Sequence, residues 1–219
     1  MLLKKHLERM FPLATPPLPV STQTMVVQQQ GVTIHYPQVF GLQNPTAEQR
    51  INQSITKLTQ SLINQQYQQQ GANSFDEMIG TFEIKTNERN VLSLTLSNYA
   101  IAYHHANGLT IMKSLTFDTQ TGKSYTLKEL FKPHSDYVSV LSKLVKKQIA
   151  DRNIPILDTF QEIAPDQDYY IADKALVLYY QPIEITPHYF GFPMFPISVY
   201  SIQDIIDENG PLGRMATNS

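Results

Sequence analysis

Histidine is the side chain here with the widest chemistry, since imidazole binds metal ions and moves protons near neutral pH. Six are present, and His104 and His105 are adjacent. On an extended backbone, neighbouring side chains point to opposite faces, so this pair cannot easily share one metal ion. A zinc site would need further ligands, and no HExxH or comparable spacing supplies them. We interpret the pair as loop histidines beside a strand end and predict no metal site.

Two carboxylates, Asp166 and Asp168, have the spacing that begins a calcium-binding loop. Such a loop then needs an oxygen ligand, a glycine and, at its twelfth position, a glutamate. These positions hold Tyr170, Ile171 and Val177, so the calcium pattern fails. The GxSxG, GxxxxGK[ST] and GxGxxG patterns are absent as well. The sequence therefore predicts no cofactor and no catalytic residue.

A run of aromatic residues and prolines at 179–196 is the strongest candidate for a binding feature. Its aromatic members are Tyr179, Tyr180, Tyr189, Phe190, Phe192 and Phe195. Four interleaved prolines stiffen the segment and keep it out of a sheet interior. A stiff aromatic loop loses little entropy on docking, and aromatic anchors dominate interface energetics. Alternatively, the aromatic side chains fold inward and close the core, which the scarcity of exposed apolar patches on monomers favours.

Composition limits the class of protein. The 219 residues suffice for one domain or two small ones, and the 42% apolar content supports a packed core. The absence of cysteine excludes a disulfide framework and a thiolate metal site. A net charge of −2 without a basic stripe argues against a nucleic acid partner.

The first 20 residues do not read as a signal peptide. Lys4 and Lys5 resemble its basic start, but His6, Glu8 and Arg9 interrupt the apolar run that should follow. No stretch reaches the ~20 apolar residues of a membrane helix. We expect residues 1–20 to form a flexible arm, and the chain to be soluble and cytoplasmic.

Two helices and several strands follow from the hydrophobic patterns. The first helix begins at Asn44-Pro45 and ends at Gly71. The helix is rich in glutamine. These glutamines mark either an interaction tract or the solvated face of the helix, and the helical period of the apolar residues favours the solvated face. Ser135 is the expected cap of a second helix. Residues 197–206 also show a helical period.

Strand patterns occupy residues 21–36, 82–117 and 169–180, with a turn at 37–41 and a half-buried hairpin around residues 87–90. We predict an α+β fold, with antiparallel sheets, two main packed helices and two intimately joined halves. The halves span residues 21–117 and 118–206, and residues 207–219 are expected to form a loose polar tail.

Three segments resemble a known family, the paired domains of unknown function in the ectodomain of RsiV-type anti-sigma factors, which also occur beside some peptidoglycan deacetylase domains. They are FDTQTGKSYTLKELF at 117–131, DYYIADKALVLYYQPIEITPHYFG at 168–191 and FPISVYSIQDII at 195–206. The resemblance covers roughly residues 22–206. It implies a bacterial protein with two α+β modules, and it makes an extracytoplasmic location an alternative.

The same resemblance suggests a binding role. RsiV-type ectodomains are lysozyme receptors, and the loop that matches ITPHYFG contributes to binding there, which carries Pro187 and Tyr189 over to this chain. No sigma-binding segment, membrane helix or deacetylase domain is recognisable in the sequence, so sigma inhibition is not expected to transfer.

Two hypotheses follow. The first is a non-catalytic module that binds a protein or a cell-wall glycan through Pro187, His188, Tyr189, Phe190 and Gly191, with His104 and His105 nearby. The second is a hydrolase or metal-dependent enzyme built from the loop histidines and carboxylates. The oligomeric state is left open.

Overall fold

The computed structural model describes residues 20–217, and its first half is a five-stranded sheet. The strands are β1 (Ser21–Gln29), β2 (Val32–Phe40), β3 (Phe75–Glu88), β4 (Val91–Ala102) and β5 (Leu109–Asp118), in spatial order β1-β2-β3-β4-β5. Helix α1 (Pro45–Gln70) connects β2 to β3, and these two strands pair in parallel over three residues. The sheet is antiparallel, as expected, except at this one pairing, where a helical crossover returns the chain in the same direction.

The second half carries a smaller antiparallel sheet with the order β6-β7-β8. Its elements are α2 (Tyr137–Asp151), β6 (Tyr169–Ala172), β7 (Ala175–Tyr179), β8 (Met194–Ser198) and α3 (Pro211–Ala216). Short 3₁₀ turns occupy Leu127–Leu130, His188–Phe190 and Val199–Ile202. The α+β class with two sheets and few helices is confirmed. Within residues 20–217, no helix has the length and apolar character needed to cross a membrane.

Helix α1 forms as its end signals predict and packs on the first sheet. The Asn44 side chain accepts hydrogen bonds from the first-turn amides, and Gly71 ends the helix in the left-handed conformation. Ile51, Ile55 and Leu62 on the helix, together with leucines of β4, form one core. The outer face carries the glutamines, which confirms a solvated face for most of them.

The turn at residues 118–122, which follows β5, packs against the first turn of α1. The Gly122 amide donates to the Asp118 carbonyl at 2.8 Å, and Gly122 has a φ of +72°. A Cβ at this position would lie 2.7 Å from the Ala47 carbonyl oxygen, so the close approach of turn and helix requires glycine.

Several element boundaries differ from the sequence-based prediction. A turn was predicted at 37–41, but Pro37 lies inside β2, in the part of the strand that pairs with β1 alone. Asp136, and not Ser135, caps α2. Ile197 lies in β8 and pairs with Leu176 of β7. The helical period predicted for residues 197–206 is therefore correct only for the 3₁₀ turn at Val199–Ile202. Val20 is buried and belongs to the fold, whereas residues 1–19 of the expected arm lie outside the described part.

The C-terminal segment folds, contrary to the expected loose tail. Helix α3 buries Leu212 and Met215 completely in the core of the second half. Arg214 donates to the Asp118 carboxylate at 2.8 Å. The segment therefore ties the end of β5 to the second core.

A buried polar stripe joins the two halves. Prediction of a half-buried hairpin is wrong for β4, because its Ser93 and Thr95 are buried as fully as its leucines. The Ile171 amide of β6 donates to the Ser93 hydroxyl at 2.9 Å. On β3, the Thr86 hydroxyl donates to the Ile171 carbonyl and accepts from the Asp173 amide, both at 2.9 Å. Hydroxyl groups of the first sheet thus satisfy backbone groups of β6 and of the turn that follows it.

The Asp118 carboxylate gives stability a defined pH dependence. Burial alone would raise its pKa, but the hydrogen bonds from Thr121 and Arg214 outweigh burial and hold the pKa below its ordinary 3.8. A lowered folded-state pKa means that the stabilisation is present above about pH 4 and is lost as pH falls through the folded value.

We therefore expect Asp118→Asn to be less stable than the native chain at neutral pH, and the difference to shrink on acidification. Urea midpoints at about pH 7 and about pH 3 for both proteins measure this. A difference that stays constant across this range would show that the charge of Asp118 contributes nothing.

Candidate functional site

The Pro/aromatic loop, residues 180–193, connects β7 to β8 and has an ordered tip. Pro187 precedes a single 3₁₀ turn, in which the Phe190 amide donates to the Pro187 carbonyl at 2.9 Å. Gly191 follows with φ +71° and ψ −133°, a conformation that side chains disfavour. The glycine therefore lets the chain turn back into β8 directly after the tip.

Side chains of the tip point in opposite directions. Tyr189 is 78% exposed, the largest exposure among the exposed large hydrophobic residues of the described chain. Its neighbour Phe190 packs against the core of the second half, and Phe192 packs against a small cluster between the two sheets. Anchored neighbours thus present one aromatic ring to solvent.

The two readings of the aromatic run each hold for part of it. Tyr179, Tyr180 and Phe195 are buried, as expected if the aromatics close the core. Tyr189 is exposed together with His188, as expected for a binding loop. The sequence did not distinguish these residues because the loop has no periodicity.

The His104–His105 loop lies between β4 and β5 and is also exposed. His104 has a φ of +67°, and its ring meets the exposed Tyr103 ring edge-on at 4.1 Å. Tyr103 is 60% exposed and was missed as a candidate residue, although its place beside a loop was visible in the sequence. Among residues 20–217, no hydrogen bond or ring contact joins this loop to Tyr189, so their predicted cooperation stays a prediction.

A wide, open groove of about 880 Å³ runs along the outer face of α1. Glutamine, asparagine, serine and threonine side chains dominate its lining, from Gln38 of β2 to Asn64 of α1. Neutral amides and hydroxyls of this kind can hydrogen-bond sugar hydroxyls. The glutamine-rich sequence was the visible signal for this groove.

The two halves match two protein-family models in succession. The model named deacetylase PdaC matches residues 22–101, and the protein of unknown function model DUF3298 matches residues 128–200. The anti-sigma-V factor RsiV of Bacillus subtilis (strain 168) is 26% identical over 192 residues. That alignment covers 81% of this chain and 66% of RsiV, so the chain spans slightly less than two thirds of the relative. The chain is thus similar to RsiV, with a PdaC match in its first half and a DUF3298 match in its second.

Solved structures support the same fold for this RsiV-like chain. A DUF3298 family member from Bacteroides fragilis NCTC 9343 superposes with a TM-score of 0.67, at 12% identity, over 91% of this chain and 98% of that one. A DUF3298 family protein from Pseudomonas aeruginosa PAO1 gives 0.64, at 14% identity, over 93% and 98%.

Two carboxylates in the second half of the RsiV-like chain have structural partners. Asp168 forms an ion pair with Lys113 at 2.7 Å. Glu184 accepts a hydrogen bond from the Gln181 amide at 2.7 Å. Across residues 20–217, no group of three or more histidine and acidic side chains is placed to hold a metal ion.

Proposed function

We propose that this RsiV-like chain is a non-catalytic binding module that recognises a protein partner through the tip of the Pro/aromatic loop. The observation that carries the proposal is Tyr189, which is exposed while Phe190 and Phe192, directly after it, are anchored. Pro187, His188, Phe190 and Gly191 complete the proposed contact surface, and the His104–His105 loop with Tyr103 is its proposed second part.

The geometry favours a protein partner. A tyrosine ring offers a large amphipathic contact with only two side-chain torsions to fix, and aromatic residues are enriched at binding hot spots. The 3₁₀ turn and the anchored phenylalanine fix the backbone before binding, so docking orders little of the chain. Lysozyme is the first candidate, because the resemblance to the RsiV-type ectodomain implies it. Such a partner requires an extracytoplasmic location, and cell fractionation tests that location against the cytoplasmic one.

The groove along α1 supports a second candidate, a cell-wall glycan. Its amides and hydroxyls suit sugar hydroxyls, and its volume suits a short oligosaccharide. Among residues 20–217, no aromatic side chain lines the groove on which a sugar ring could stack. Since the exposed aromatic side chain and the amide groove involve different residues, the glycan is the weaker proposal.

Tyr189→Ala is the decisive variant. We expect binding to immobilised lysozyme to weaken by at least about tenfold, the effect of a hot-spot residue. The free energy of unfolding should stay within about 0.5 kcal/mol of the native value, because the side chain is exposed. Surface plasmon resonance and a urea curve on the same sample measure both quantities.

Phe195→Ala is the control for the stability measurement, because it truncates a buried aromatic residue close to Tyr189 in the sequence. Phe195 is fully buried in the same chain segment, so its truncation should cost about 3–5 kcal/mol of stability. If Tyr189→Ala binds lysozyme as strongly as the native chain does, Tyr189 is not the contact residue. If the native chain binds soluble peptidoglycan fragments but not lysozyme, the glycan candidate and the α1 groove are favoured.

The hydrolase or metal-dependent enzyme is the alternative function. It would use His104, His105 or His188 together with carboxylates, and it requires these groups to converge on a substrate. Metal analysis of the purified protein separates the alternatives: about one zinc per chain, lost in His104→Ala, would favour the enzyme.

A further inference from the structure

A second cleft lies beside the base of the Pro/aromatic loop and shares no residue with its tip. It has a volume of about 310 Å³, at the lower end of ligand-pocket sizes. Apolar walls come from two segments, with Ile156, Leu157 and Phe160 on one and Ile183 and Ile185 on the other. The Leu157 amide donates to the Ile185 carbonyl at 2.9 Å and joins the two segments.

The rim of the cleft is acidic. Asp158, Glu162 and Glu184 line it, and all three are exposed. Within the described part of the chain, none of the three forms an ion pair with a basic side chain. The cleft therefore combines apolar walls with uncompensated negative charge at its edge.

One residue that lines the cleft, Tyr180, carries a buried hydroxyl without a partner. Tyr180 is 4% exposed and lines the cleft, and its ring is held edge-on between Phe160 and Phe195. Its hydroxyl has no hydrogen-bond partner among residues 20–217. Burial raises the pKa of this phenol, and the nearby Glu184 carboxylate of the rim raises it further. The group therefore stays protonated and can donate to an entering acceptor.

The loop that forms one wall is held in a strained conformation. Ile183 occupies the third position of a turn closed by the Glu184 amide and the Gln181 carbonyl at 3.2 Å. Its φ is +68°, which a β-branched residue rarely adopts, and its side chain is 57% exposed. Gln181 fixes the base of the turn through two hydrogen bonds to Met112 of the first sheet. The wall is thus preformed.

We propose that this cleft binds a lysine- or arginine-bearing segment of a partner protein. The aliphatic stem of the basic side chain lies against the isoleucines and its cationic head meets the rim carboxylates, as suits an apolar stem with a charged end. A backbone carbonyl of the same segment accepts a hydrogen bond from the Tyr180 hydroxyl. The charge of the rim selects this occupant over an acidic or purely apolar one.

The test titrates the full chain, labelled for NMR, with the blocked pentapeptide ALRLA and with the matched peptide ALELA. We expect saturable shifts at residues 156–162 and 180–185 with the basic peptide only, and weaker binding at higher salt. Tyr180→Phe should bind about five-fold more weakly, the effect of one net hydrogen bond. Its urea midpoint should equal or exceed the native one, since the removed hydroxyl has no partner.

Tyr189→Ala is the control and should bind the basic peptide as the native chain does, which separates this cleft from the tip of the loop. The double variant Asp158→Asn with Glu162→Gln should bind more weakly and with a smaller salt dependence, because only Glu184 of the rim stays charged. Equal binding of the two peptides, or native affinity in Tyr180→Phe, would overturn the proposal.

Discussion

A chain that ends at Asn209 is expected to lose most of its stability. Truncation there removes α3, whose Leu212 and Met215 side chains are fully buried in the second core. Truncating one such side chain to alanine costs about 2–5 kcal/mol, and a whole domain is stable by only about 5–15 kcal/mol. Removing both, with the backbone that carries them, therefore approaches the total.

The same truncation affects the first half. Arg214 of α3 forms its ion pair with Asp118 at the end of β5. Arg89, in the β3–β4 turn, donates to the carbonyls of Arg214, Met215 and Thr217. Loss of α3 leaves the buried Asp118 carboxylate without its cation.

Urea unfolding followed by circular dichroism measures the effect, with a chain that ends at Thr217 as the control. The control should unfold at the native midpoint, because it keeps all of α3. A chain ending at Asn209 that also unfolds at the native midpoint would show that α3 is not part of the cooperative core.

Thr86→Val is the second large expected effect. Valine keeps the shape but removes the hydroxyl that serves both the Ile171 carbonyl and the Asp173 amide. Each buried group left unsatisfied costs about 1–3 kcal/mol, so we expect a loss of about 2–6 kcal/mol. The lost hydrogen bonds are those that connect β3 of the first half to β6 and its following turn in the second half.

Thr81→Val on the same strand is the matched control, since Thr81 is exposed and the change should stay within about 0.5 kcal/mol. Differential scanning calorimetry should show one transition in the native chain and in both variants, at a clearly lower temperature for Thr86→Val. Two resolved transitions in the native chain would contradict intimately joined halves.

Local signals made α1 and the turn after β5 predictable. Asn44 and Gly71 mark the ends of α1 because capping depends on residues next to each other in sequence. Gly122 marks a turn for the same local reason. These features need no knowledge of distant residues.

The polar face of β4 and helix α3 were not predictable in the same way. Ser93 alternates with leucines as a solvated residue would, and only the docking of β6 decides that it is buried. Helix α3 is six residues long, too short for a hydrophobic period to appear. Tertiary contacts decide both cases.

The candidate site also has features that the sequence predicts and features that depend on tertiary packing. The resemblance drew attention to Pro187 and Tyr189, and prolines marked the loop as stiff. Which aromatic rings face solvent depends on packing, so sequence could not separate Tyr189 from Phe195. The sequence showed Tyr103 beside a loop and a glutamine-rich helix, but the exposure of Tyr103 and the shape of the α1 groove depend on the loop conformation and the position of β2.

The most direct test of the binding module is a hydrogen-exchange footprint of the full chain with and without lysozyme. We predict protection concentrated at residues 187–191, with further protection at residues 103–105 if the two loops act together. Protection confined to the α1 groove, or no protection at residues 187–191 at saturating lysozyme, would contradict the account.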